Sequence, residues 1–206
     1  MRLSGNRWSL GLTDNQKGNL MCKKVITGAL LGGLVLFVWQ FAVHMLLGIY
    51  DDAFVKLKDP AAVEAVLMDN LEGGGIIVIP LPETGDSDAE AKAMEKIITG
   101  FSLFGAVTLD GRHGFGPALV IQLALNVIAS AVLMFVMLVA QPRTLGTRLA
   151  LALCFGVFVV LVGVLPNWNW LGYSLGYIGG QIGELIVGWA LVGLVLAKVM
   201  GGNTSS

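Results

Sequence analysis

The 206-residue chain is 55% hydrophobic and only 13% charged, with a mean hydropathy of +0.78, which excludes an ordinary soluble domain and points to a membrane. Its formal net charge of −1 offers no basic excess for a nucleic acid. Cys22 and Cys154 lie in different segments without CxxC spacing or neighbouring histidines, so neither a redox motif nor a zinc site is indicated.

Residues 1–24 are polar, hold Arg2, Arg7, Lys17, Lys23 and Lys24, and read as a disordered N-terminal segment. They contain no apolar core of a signal peptide, and Met21 looks like a start of its own. The first membrane span is expected over 25–50 and the second over 116–140, neither with an Asp, Glu, Lys or Arg. Between them, residues 51–115 hold 12 acids against 5 bases, a net charge of −7. A turn at 141–148 with Arg143 and Arg148 leads to a short third span at 149–165. Pro166 is expected to end that span, 166–170 to form a loop, and 171–197 to form the fourth span before a tail at 198–206 that opens with Lys198. The basic ends predict N-in and C-in, with 51–115 extracytoplasmic.

Within 51–115, Asp59 at N-cap, Pro60 at N1 and a glycine stop at Gly73 predict a short helix. "IIVIPLP" predicts a strand near 75–80, "DSDAEAKAMEKII" a second helix, and "SLFGAVTL" a second strand. The predicted fold is therefore an all-α membrane protein, a four-transmembrane-helix bundle with a small extracytoplasmic α+β insertion between helices 1 and 2. The insertion is a solvated acidic surface or, on the sharper reading, a patch that recruits a basic partner or a cation, although no spacing matches a calcium loop.

Six polar side chains fall inside the expected spans: Gln40 and His44, Gln122 and Asn126, Gln181 and Glu184. Spacings of 4, 4 and 3 put each pair on one helix face, and their similar depths predict one intramembrane polar cluster. The four amides serve as interhelical glue. His44 and Glu184 can each change charge, which opens a proton- or cation-linked site beside the alternative of a buried packing pair. His113 and Asp110 lie at the outer mouth of the second span, Trp168 and Trp170 are expected interface anchors, and haem has no support beyond the two histidines. Gly172, Gly176, Gly180, Glu184 and Gly188 recur at i+4 intervals, a small-residue stripe for close helix packing against the same chain or another copy; Gly28 and Gly32 form a weaker pair.

The segments "VWQFAVHMLL", "GIIVIP", "FGAVTL" and "PNWNWLGYS…GELIVGWALVGLVLAK", covering 21–199, resemble a family of small four-helix bacterial inner-membrane proteins with no assigned function. The resemblance implies four spans and no mechanism. No HExxH, GxSxG or Walker pattern occurs, so no catalytic residue, metal or cofactor is assigned. The expected role is a non-enzymatic scaffold, assembly factor or accessory subunit in contact with the lipid bilayer and a protein partner or second copy through the fourth-helix glycine face. The alternative is a small oligomeric proton- or cation-linked transport unit.

Overall fold

The computed structural model describes residues 13–82, 85–112 and 114–201. It is mostly helical, with four helices long and apolar enough to cross a membrane and one two-stranded sheet. Helix α1 (Asp14–Met45) begins at a capping box in which Gln16 N–H donates to Thr13 Oγ1 and Thr13 N–H to Gln16 Oε1. Residues 14–24, expected as disordered, are therefore helical, because the cap satisfies the helix start well before the apolar run. At its other end α1 stops at Met45, short of the expected Tyr50, and the chain reverses at Gly48 in a left-handed conformation (φ +59°).

A short 3₁₀ turn (Asp51–Ala53) leads into the insertion: α2 (Pro60–Asn70), β1 (Gly75–Ile79), α3 (Ser87–Thr99) and β2 (Leu103–Val107). Asp59 caps α2 through Ala62 N–H, and Asp86 caps α3 through the amides of Asp88 and Ala89. The strands pair antiparallel in register Gly75↔Val107 to Ile79↔Leu103. Almost nothing here is buried: α2 has no buried residue and α3 has only Ala93.

Helix α4 (Phe115–Ala140) returns to the terminal end, and Thr144, with Thr147, caps α5 (Leu145–Val159). A π-helical turn (Val160–Val164) then runs directly into α6 (Leu165–Leu171). Pro166 thus does not end the third span, and the expected loop 166–170 is helical. The widened turn closes with Leu165 N–H donating to Val160 O, and the Asn167 side-chain amide takes the Gly163 carbonyl at 2.9 Å. The real break follows at Gly172 (φ +71°), before α7 (Leu175–Gly201).

The helices pack in the order α4, α1, α7, α5, so α1 and α7 are central. Leu36, Leu133, Met134, Met137, Ala152, Trp189, Val192 and Leu196 form the core that joins them. The α1–α4 approach is closest at Gly33, where an added Cβ would lie 2.6 Å from Val127 Cα. At the terminal end, Arg148 donates to Ala197 O at 2.9 Å and Lys24 to Met200 O at 3.4 Å, satisfying late carbonyls of α7.

Gly33→Ala should lower stability by about 1–3 kcal/mol, because backbone rather than a mobile side chain must move. Gly179→Ala, where the added methyl meets nothing within 4 Å, should be neutral or stabilising by up to about 1 kcal/mol. Reversible unfolding in mixed micelles measures both.

Candidate functional site

The six polar side chains expected inside the spans do not form a single cluster. Three amides make one group on the seam between α1 and α4. Asn126, buried at 4% exposure, donates from Nδ2 to Gln40 Oε1 at 2.7 Å and accepts from Gln122 Nε2 at 3.0 Å. Gln122 Nε2 also approaches Gln40 Oε1 at 3.3 Å. No hydrogen bond among the described residues joins this group to Glu184.

The second group lies between α1 and α7 at the end nearest the insertion. Glu184, 8% exposed, accepts a 2.5 Å hydrogen bond from the Tyr50 hydroxyl on Oε2, and His44 Nε2 lies 3.4 Å from the same oxygen. The Tyr50 ring stacks on His44, with centroids 5.0 Å apart and planes 14° from parallel. The Trp39 indole N–H donates to the Glu184 backbone carbonyl at 2.9 Å, which pins the same turn of α7 to α1. His44 keeps half of its side chain exposed while the carboxylate is covered. One face of the group is therefore open and the other closed.

Local sequence explains how Tyr50 reaches this position. The reversal at Gly48 folds Ile49 and Tyr50 back over the end of α1, and the missing side chain at Gly180 makes their seat: a Cβ there would stand 2.8 Å from Tyr50 Cε1 and 3.2 Å from Ile49 Cγ2. Tyr177, one turn before Gln181, meets Tyr50 at 5.3 Å and Phe54 at 5.9 Å between centroids, and Tyr173 extends the aromatic row. Burial, then the hydrogen bond to Glu184 and the carboxylate's charge, push the Tyr50 phenol well above the ordinary tyrosine range. Tyr50 and Trp39 were not among the residues singled out from sequence. The available signal was an amphipathic ring on each side of His44, one of them just beyond a glycine.

The remaining expectations are redistributed. Gln181 takes no part in either bonded group, and its Oε1 is buried without a partner among the described residues. The glycine stripe is in close contact at Gly188, where a Cβ would lie 2.8 Å from Leu36 Cδ1 of α1, and at Gly180, which faces Ile49 and Tyr50 beyond the end of α1. Gly176 faces open space, and Gly172 lies outside α7, closing α6 instead. Gly28 and Gly32 pack against Met134 and Ser130. Trp168 and Trp170 are exposed on α6. Asp110 lies in the segment between β2 and α4, whereas His113 falls outside the described residues. Among the described residues no three His, Cys, Asp or Glu side chains converge as a metal site.

No protein-family model, curated protein or solved structure matches the chain. Chemically, the Glu184 group sets the Tyr50 hydroxyl and the His44 imidazole against one carboxylate oxygen, an arrangement that can hold or exchange a proton.

Tyr50→Phe should cost about 1–3 kcal/mol of stability, the worth of a bond to a charged acceptor. The cost should fall below about 1 kcal/mol in a Glu184→Gln background, a coupling that a double-mutant cycle in micelles reads directly. A raised folded-state value means the neutral phenol's contribution is present at neutral pH and is lost as pH climbs above the ordinary tyrosine value of about 10. The melting temperature should fall through that alkaline range in the parent and less in Tyr50→Phe.

Proposed function

We propose that the protein is a non-enzymatic component of a membrane complex, acting as a scaffold, assembly factor or accessory subunit through its insertion. The observation that carries this reading is the unburied apolar surface of residues 51–114. Val66, Leu81, Ile98 and Phe101 are each more than half exposed, although they belong to a segment outside the spans. Helix α3 sets Met94, Ile97 and Ile98 on one side and Lys92 and Lys96 on another. A two-stranded sheet with two such helices is marginal alone and gains most from a partner. The net charge of −7 over 51–115 favours a basic one.

Four candidate transmembrane helices make this a multi-pass membrane protein in form. The finer assignment is a bacterial inner membrane with both termini cytoplasmic and 51–115 extracytoplasmic. Support comes from Lys23, Lys24, Arg143, Arg148 and Lys198 at one end of the bundle and the acidic segment at the other. On the fourth-helix glycine face, Gly188 is filled by Leu36 and Trp39 of α1 and Gly180 by Ile49 and Tyr50, whereas Gly176, Gly179 and Gly183 meet nothing within 4 Å and leave the stretch open to a partner or second copy.

A photoreactive residue at Ile98 should give a discrete protein adduct in intact membranes, and one at Lys96 should not. Equal labelling at both, or a protein that emerges alone and monomeric from mild detergent, would sink the reading.

The His44–Glu184–Tyr50 group favours a second reading, a small oligomeric proton- or cation-linked transport unit. It predicts a pH-dependent flux in proteoliposomes that Glu184→Gln abolishes. The groove of about 350 Å³ between α1 and α7, lined by Leu34, Val35, Val38, Trp39, Ala42 and Leu191, is apolar and adds no pathway to that reading.

A further inference from the structure

The amide seam between α1 and α4 is incomplete within one chain. Asn126 uses both ends of its side chain, but Gln40 Nε2 and Gln122 Oε1 have no hydrogen-bond partner among the described residues. Both lie towards the surface: Gln122 is exposed and Gln40 half-buried. At 1.5 Å per residue, Gln40 sits about 8 Å inside the α1 end and Gln122 about 10 Å inside the α4 end. That depth is within the hydrocarbon of a spanning bundle, where an unbonded donor or acceptor has no water to turn to.

We infer that this seam is the contact surface for a second copy of the same chain. One donor group and one acceptor remain over, and their side chains touch at 3.3 Å through Gln122 Nε2 and Gln40 Oε1, so the two glutamines lie at the same depth. A two-fold axis along the membrane normal preserves depth. It sets Gln40 Nε2 of each copy against Gln122 Oε1 of the other, two equivalent bonds in a closed, self-complementary interface. Both copies then keep their insertions on one side. The exposed apolar row Ile121, Leu125, Ile128 and Val132, at spacings of 4, 3 and 4, supplies flanking contact along α4. A phospholipid ester only accepts and would leave Gln122 Oε1 unfilled, whereas a second copy carries both missing groups at the same depth; an amide-bearing helix of another protein would instead leave this chain monomeric in the test below. This surface is separate from the insertion and does not depend on the insertion's partner.

The test uses the full chain in lipid nanodiscs and vesicles, with Cys22→Ser and Cys154→Ser removing the two exposed free thiols. Oxidation of Leu125→Cys should give a disulfide-linked dimer, and oxidation of Phe158→Cys, on the exposed face of α5, should not. Energy transfer between labelled copies diluted in lipid should show Gln122→Leu weakening association about eightfold, the loss of two intramembrane hydrogen bonds of ordinary strength. Gln122→Leu leaves the bond between Gln40 and Asn126 intact, and the crosslinking arm needs no glutamine variant at all. A monomer at every dilution, with or without lipid retained in the seam, overturns the proposal. So does equal crosslinking at Phe158→Cys, or an association constant that Gln122→Leu leaves unchanged.

Discussion

A carboxylate carried into a helix bundle has to be bonded there, and much of the insertion-side architecture is arranged around Glu184 meeting that condition. Its partner is a phenol from beyond the end of α1, so α1 must stop early and the chain must turn back. Gly48 permits the turn, with φ +59° in the left-handed region that favours glycine. Gly180 then makes room for the ring that arrives. The 3₁₀ turn at Asp51–Ala53 follows from this seat. The insertion is thereby tied to α7 as well as to the two helices it connects.

Helix α7 serves two neighbours with different surfaces. Towards α1 and the turn that follows it, α7 offers Gly180, Glu184 and Gly188; towards α5 it offers Trp189 and Gly193, the first packed on Phe155 and the second on Ala152. Where lipid removes the hydrophobic incentive for helices to associate, close backbone approach and a few specific bonds must hold them. Trp39 and Tyr50 supply those bonds at the insertion end, and Arg148 and Lys24 at the other. Lys24 and Arg148, two of the basic residues at this end, thus cap an α-helix. Their charge suits that place because the last carbonyls of α7 carry the partial negative end of its dipole.

How much of this could be read from sequence depended on whether the governing interactions were local. The four apolar runs, the Asp59 cap of α2, the acidic first turn of α3 and the apolar strands are short-range signals, and the structure contains the corresponding elements. Pro166 misled because it stands in the first turn of α6, directly after the π turn, where a helix tolerates a residue without an N–H; that junction does not show in hydropathy. The start of α1 at Thr13 depended on a capping box inside a polar stretch that had no apolar rhythm to announce it. In the site, His44 and Glu184 were legible as ionisable groups at matching depth. Tyr50 was not, because it lies outside the helix and reaches the carboxylate only after a reversal that a single glycine controls. The division of the polar residues into two groups escaped for a related reason: Gln40 and His44 share a face of α1, and only the placement of α4 and α7 decides which neighbour each one meets.

That division matters for what each group can do. The amides are neutral at every accessible pH, so the α1–α4 seam holds with a strength that proton concentration does not alter. The Glu184 group sits on the other flank of α1, bonded to a loop rather than to a second regular helix, and one of its members is half-exposed. Through the Tyr50 bond the carboxylate fastens to α7 the chain that leads into the insertion, while Gly188, packed on Leu36 and Trp39, holds α7 directly against α1. Helix α1 thus divides its two flanks, meeting α4 through neutral amides and α7 through a carboxylate whose partner comes from outside the helix.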